Sequence, residues 1–176
     1  MILITTIAFT KSIHSKLVAC ILIMQRVTKN LEETQALATE WVKLLGRPLA
    51  KSGAMVMGLS GDLGSGKTSF VQGVARALGL SEHVTSPTFI LEKIYKLSQP
   101  LPFTISHLPF THLIHIDAYR LEGAQELSQI GFEELAKEKN NLILIEWPER
   151  ISEGLPFGMP MIKFEFIDEN IRKIEW

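Results

Sequence analysis

From Asn30 the apolar positions recur at helical spacing, with Leu31, Leu37, Ala38, Trp41, Leu44 and Leu45 on one stripe and Thr34 among them. Asn30 followed three residues later by Glu33 is a capping pair, which predicts a helix that begins there and stops near Gly46, short of Pro48. Residues 54–59 form a short apolar run of strand type; residues 67–78 return to helical spacing and end at Gly79. Further strand-type runs follow at 89–97, 112–117 and 142–145, and residues 161–167 alternate as an edge strand would. Between them, 125–139 reads as a helix broken at Gly131. Residues 98–111, with prolines at 100, 102 and 109, read as a variable loop without chemistry of its own. Strands alternating with helices predict an α/β domain.

The junction of the first strand and second helix carries the strongest chemical signal. Residues 61–68 read Gly-Asp-Leu-Gly-Ser-Gly-Lys-Thr and fit G-x-x-x-x-G-K-[ST] at every constrained position. Glycines at 61, 64 and 66 let the backbone curl until its N–H groups point inward, and the helix adds about half a positive charge at its N-terminus. Such a nest receives phosphate oxygens. Lys67 then reaches the β- and γ-phosphates, and the Thr68 hydroxyl is placed to ligate the magnesium that accompanies them. Thr85, Ser86 and Thr88 surround Pro87; their hydroxyls suit phosphate or magnesium contact, and equally an ordinary turn.

Two apolar runs end in acids, Asp117 and Glu146. In open α/β sheets ligands lie beyond the carboxyl ends of the strands, so both acids are expected at the phosphates as Walker B type carboxylates. One would bind the metal while the other orients water or completes the metal's shell, and the spacing does not assign them. His115, Asp117 and Tyr119 share a face as long as the chain stays extended, whereas His112 and His115 lie on opposite faces, which argues against a transition-metal site. Arg120 suits a salt bridge better than a catalytic role.

Composition narrows the setting. A chain of 176 residues suits a single domain. A net charge of −1 announces no surface for polyanions, so nucleic acid is expected to be met through a partner. Cys20 is the single cysteine, which excludes an internal disulfide and favours a reducing, cytoplasmic setting. Residues 1–23 contain two apolar stretches interrupted by Lys11 and Lys16, each too short to span a membrane. They read as a poorly fitting extension, consistent with an upstream start codon, and a membrane-associating segment is the second reading. The domain is expected to occupy 24–176.

The glycine-rich loop, Thr-Ser-Pro-Thr-Phe at 85–89, His-Ile-Asp-Ala-Tyr-Arg-Leu at 115–121 and Glu-Trp-Pro-Glu-Arg at 146–150 occur in an order that strongly resembles the TsaE family. These are small bacterial ATPases of tRNA threonylcarbamoyladenosine synthesis. The resemblance implies a P-loop NTPase fold, with a central parallel sheet flanked by antiparallel strands and helices. It implies that Leu63, Gly64, Ser65, Gly66, Lys67 and Thr68 hold the phosphates of ATP. Thr68 and Glu146 become the expected Mg2+ ligands, with Asp117 the Walker B type acid, and Lys67, Asp117 and Glu146 form the catalytic set. Residues 86–88 become a mobile loop that responds to nucleotide, and Trp147 a residue packed under the site. The implied partners are TsaB and TsaD, whose complex transfers threonylcarbamoyl to tRNA, so tRNA would be engaged indirectly and no membrane would be involved. Residues 1–23 and 98–111 fall outside the resemblance, and the C-terminus looks short.

Three other classes share the loop. A GTPase needs Asn-Lys-x-Asp, which the sequence lacks. A small-molecule kinase needs an arginine-rich lid, and Arg120 and Arg150 are not clustered. A nucleotide-gated binding module remains, and the two strand-end acids favour hydrolysis over it.

Overall fold

The computed structural model describes the backbone of Leu3–Ile4 and residues 24–45 and 53–176. The strands are β1 (Leu3–Ile4), β2 (Met24–Thr28), β3 (Met55–Ser60), β4 (Glu92–Lys96), β5 (His112–Asp117), β6 (Asn141–Glu146), β7 (Met161–Phe166) and β8 (Arg172–Glu175). The helices are α1 (Leu31–Leu44), α2 (Lys67–Ala77), α3 (Gln125–Gln129) and α4 (Phe132–Lys137). All eight strands join one sheet in the order β1-β2-β8-β7-β3-β6-β5-β4. Its centre, β7-β3-β6-β5, is parallel, and β4 on one side and β8, β2 and β1 on the other run antiparallel. The α/β P-loop architecture expected from the sequence is therefore present. The extension call concerns residues 1–23, which apart from the β1 backbone lie outside the described residues, as do Gly46 and Pro48.

The period of two divides the sheet into two cores. Leu113, Leu142, Leu144, Met57 and Leu59 pack with α1 and α2, while Ile114, Ile116, Ile143, Ile145 and Val56 pack with α3 and α4. By the same alternation His115 and Asp117 on β5 and Glu146 on β6 share the α2 face. Asp117 stands opposite Glu146 in the parallel register. The two acids thus end adjacent strands beside the start of α2.

α1 begins where its cap predicts: Asn30 Oδ1 accepts from Glu33 N at 2.8 Å, and Glu33 Oε2 accepts from Lys29 N at 2.8 Å. Gly131, with φ 69°, separates α3 from α4 as expected. Three readings need correction. β7 is an interior strand between β3 and β8; it alternates because Ile162 and Phe164 are buried toward α2 while Lys163 and Glu165 stay exposed. The strand foreseen at 89–97 starts at Glu92, because the Pro87 carbonyl accepts from both Ile90 N and Leu91 N and folds 87–91 into a turn. The loop at 98–111 is a packing element, since Leu101, Ile105, Leu108 and Phe110 close the α1/α2 core from the side.

The contact of α1 with α2 rests on Gly73. A Cβ there would lie 2.7 Å from Ala38 Cβ and 2.8 Å from Gln35 Cα, so backbone would have to move. Gly73→Ala is expected to destabilise the fold by about 1–3 kcal/mol, although alanine is the better helix former by about 1 kcal/mol. Urea unfolding measures this, and a variant as stable as the parent would refute the close-packing account.

Candidate active site

The turn from β3 into α2 is built so that no side chain caps the helix. Gly66 stands at the N-cap with φ 99°, α2 has no side-chain cap and no acid in its first turn, and its leading N–H groups are left for an external acceptor. Gly61 allows the chain to leave β3 at φ 149°, where a Cβ would collide with the Phe164 carbonyl. Leu63, Gly64, Gly66, Lys67 and Thr68 line an open pocket of about 400 Å³ together with Asp117 and Glu146. Ser65 does not line it: the residue is fully buried, and its N–H donates to the Asp62 carbonyl at 3.2 Å.

Lys67 is folded back onto its own loop. Its Nζ donates to the Gly61 carbonyl at 2.7 Å and the Asp62 carbonyl at 2.9 Å, and lies 4.0 Å from the centre of the Trp147 ring. Burial holds the ammonium below the usual lysine range, against the opposing pull of Glu146, Glu149, Asp117 and Asp62. Charged Lys67 therefore counts against folding at neutral pH, a penalty that falls away as pH rises through the lowered pKa. Such a group is worth keeping where an anion binds.

The carboxylates are held differently. Glu146 Oε1 accepts from the Thr68 hydroxyl at 2.8 Å and from His115 Nε2 at 2.8 Å, which leaves Oε2 without a partner among the described residues. Asp117 Oδ1 accepts from Tyr119 N at 3.0 Å, and Oδ2 accepts from the hydroxyls of Ser86, at 2.9 Å, and Thr88. The loop at 86–88 is thus latched onto one acid while the other faces α2. His115, Asp117 and Tyr119 do not form the single cluster their spacing allows, because the chain leaves β5 at Asp117 into a tight turn and Tyr119 stacks on Trp147 at 5.1 Å. Trp147 adopts φ 58°, a conformation costing a non-glycine residue on the order of 1–3 kcal/mol, and forms the pocket wall. Arg120 stays out of the pocket lining, with its guanidinium 4.3 Å from the centre of the Phe89 ring.

The oxygen donors of Thr68, Glu146 and Asp117 suit a hard cation such as Mg2+, which keeps most of its waters and needs few protein ligands. An uncapped helix end, a lysine and two strand-end acids around one pocket are what a nucleotide triphosphate site requires. The family model for "Threonylcarbamoyl adenosine biosynthesis protein TsaE" matches residues 28–174. The chain belongs to the TsaE family.

Curated relatives named "tRNA threonylcarbamoyladenosine biosynthesis protein TsaE" agree over most of their length. The Rickettsia felis protein is 38% identical over 147 residues, covering 83% of this chain and 75% of that one. The Treponema pallidum protein is 33% identical over 151 residues, covering 86% and 98%. The Bacillus subtilis protein is 39% identical over 147 residues, covering 84% and 80%. The crystal structure of Bacillus subtilis YdiB superposes with a TM-score of 0.63 at 27% identity, covering 87% of this chain and 83% of that one. The TsaE family acts in tRNA threonylcarbamoyladenosine biosynthesis, which sets the chain in tRNA modification. No helix among the described residues is long and apolar enough to cross a membrane.

Sequence reasoning missed Arg172, at the start of β8. Its Nε donates to the Gly64 carbonyl at 3.0 Å, and its guanidinium packs 4.4 Å from the centre of the Phe166 ring. Nothing near Arg172 in the sequence marks it, because the contact spans 108 residues. Arg172→Met is expected to change global stability by about 1 kcal/mol or less, the scale of an exposed contact. Amide exchange at Gly64 and Gly66 should accelerate in that variant. Unchanged exchange would show that the loop does not depend on this tether.

Proposed function

We propose that this TsaE-family chain is an Mg-dependent ATPase subunit that supports threonylcarbamoyl transfer to tRNA adenosine by TsaB and TsaD, and is not itself the transferase. The observation that carries the reading is the meeting, in one pocket, of the uncapped α2 N-terminus, Lys67, Thr68 and the paired acids. Backbone N–H groups of 64–68 receive the phosphate oxygens, and Lys67 exchanges its two carbonyl partners for the β- and γ-phosphates. Thr68 and Glu146 are the residues that would hold Mg2+. When bound, the ion neutralises charge developing on the phosphate oxygens. Asp117, freed from Ser86 and Thr88, orients the attacking water or completes the ion's shell.

Lys67→Ala is expected to keep the fold and lose ATP binding, read by calorimetry. Glu146→Gln should leave binding without Mg2+ within about threefold and cut turnover by at least about tenfold, since the amide keeps shape but loses the charge that holds the ion and stabilises the transition state. Asp117→Asn should act in the same direction. Turnover equal to the parent in both acid variants would assign these carboxylates a structural role only.

The latch of Ser86 and Thr88 on Asp117 supports a nucleotide-sensitive surface. A γ-phosphate or Mg2+ that competes for these groups releases residues 86–88 and the adjoining Phe89, whose ring is 82% exposed. Affinity for the TsaB and TsaD complex should therefore differ between ADP, ATP and a non-hydrolysable analogue. Equal affinity in all three states removes the switch, and unchanged threonylcarbamoyladenosine in tRNA after depletion of this protein removes the proposed role.

A further inference from the structure

His115 lies on β5, the second strand from one edge of the sheet and directly paired with β6, and has no exposed surface. A buried imidazole with an acceptor facing its N–H and a donor facing its other nitrogen would be an ordinary core residue. This one is half satisfied among the described residues: Nε2 meets Glu146 Oε1 at 2.8 Å, while Nδ1 is buried without a hydrogen-bond partner there. Leaving a buried polar atom unpaired costs about 1–3 kcal/mol. An apolar side chain would fill the same space between Leu113 and Asp117 without that cost. The arrangement is explained by what Nε2 does for the carboxylate.

A carboxylate only accepts, so Nε2 carries the proton of this bond. Thr68 donates to the same oxygen, Oε1, from the opposite element, α2. Two donors converging on Oε1 from β5 and α2 fix the carboxylate rotation and leave Oε2 as its open coordination position. Thr68 can keep this bond while a lone pair of its hydroxyl faces a cation, but its position must then serve the ion and the carboxylate together. The backbone of β5 holds His115 rigidly, so its bond is free of that demand.

The geometry points to His115 as a positioning residue that keeps the Glu146 carboxylate turned for cation binding by Oε2, independently of Thr68. This rests on the ATPase reading above and adds to it a residue that touches neither nucleotide nor metal. Substitution of a strand residue by Gln places an amide nitrogen near the Nε2 position, whereas Leu fills the volume and offers no donor. The two variants separate positioning from packing. If His115 only packs, His115→Leu should be the better-folded and fully functional one.

The first measurement uses the metal-free, nucleotide-free protein. Imidazole nitrogen NMR should show His115 protonated on Nε2, with that resonance moved by Glu146→Gln. The second is calorimetric titration of the ATP analogue with and without Mg2+. His115→Gln should retain the magnesium enhancement within about twofold, and His115→Leu should lose at least about tenfold of it, the scale of one hydrogen bond to a charged group. Binding without Mg2+ should be unchanged in both variants. The third is steady-state ATP turnover, where kcat should fall about tenfold in His115→Leu, recover in His115→Gln, and show no further loss when His115→Leu is added to Glu146→Gln. A ring without a proton on Nε2, or equal magnesium enhancement in the Leu and Gln variants, overturns the proposal. A parent protein without turnover overturns the ATPase reading instead, and the NMR and magnesium titrations still decide the role of His115.

Discussion

A carboxylate with 3% of its surface exposed, as Glu146 has, can stay in a folded protein only if other groups replace its lost water. That requirement organises the centre of this molecule. Thr68 comes from α2, His115 from β5, and the Lys67 ammonium lies near enough to be drawn by the charge. The two hydrogen-bond donors, Thr68 and His115, are held by different elements, so the burial of one acid ties the β5–β6 pairing to the position of α2. Removing any one of them leaves charge or a donor unpaired in a poorly solvated place, which is far more damaging than loss of an exposed ion pair. Arg26–Glu40 and Lys173–Glu165, at 3.6 and 3.0 Å on the surface, are pairs of that lesser kind.

The opposite acid is arranged for exchange. Asp117 is as buried as Glu146, but two of its three partners are hydroxyls on a loop that also carries exposed Phe89 and Ile90. Hydroxyl donors on a loop are displaced at less cost than a histidine inside a sheet. The molecule therefore presents one acid on a rigid support and one under a removable cover. Trp147 follows Glu146 directly, with its unusual backbone conformation held by the Leu59 carbonyl and by the packing of the Tyr119 ring against its own. Strain retained at such a position marks a place where side-chain direction matters more than local stability.

Most of the layout was legible in the amino-acid order. The helix stripe after Asn30, the broken helix around Gly131, the glycine-rich turn and the two acid-terminated strands were all readable because their causes are local: capping, periodicity and positive-φ glycines act over a few residues. The errors had a common cause. Residues 161–167 alternate like an edge strand, yet β7 is interior, because the helical layer on its second face stops short; alternation reports how many faces are covered and says nothing of neighbours along the sheet. The 98–111 loop looked variable because its apolar residues follow no period, although four of them, Leu101, Ile105, Leu108 and Phe110, close the core.

By itself the sequence determined the α/β class, the anion-binding turn, and which acids stand at strand ends, since each follows from short-range backbone preference. Only the tertiary structure decided how those acids are used. The parallel register sets Asp117 beside Glu146, the strand face turns His115 onto Glu146 while Asp117 receives the hydroxyls of 86–88, and β8 returns Arg172 to Gly64. These contacts join residues 29 to 108 positions apart, and no local preference encodes them. They exist because burying the two faces of one sheet leaves a single register in which every strand end meets a compatible partner.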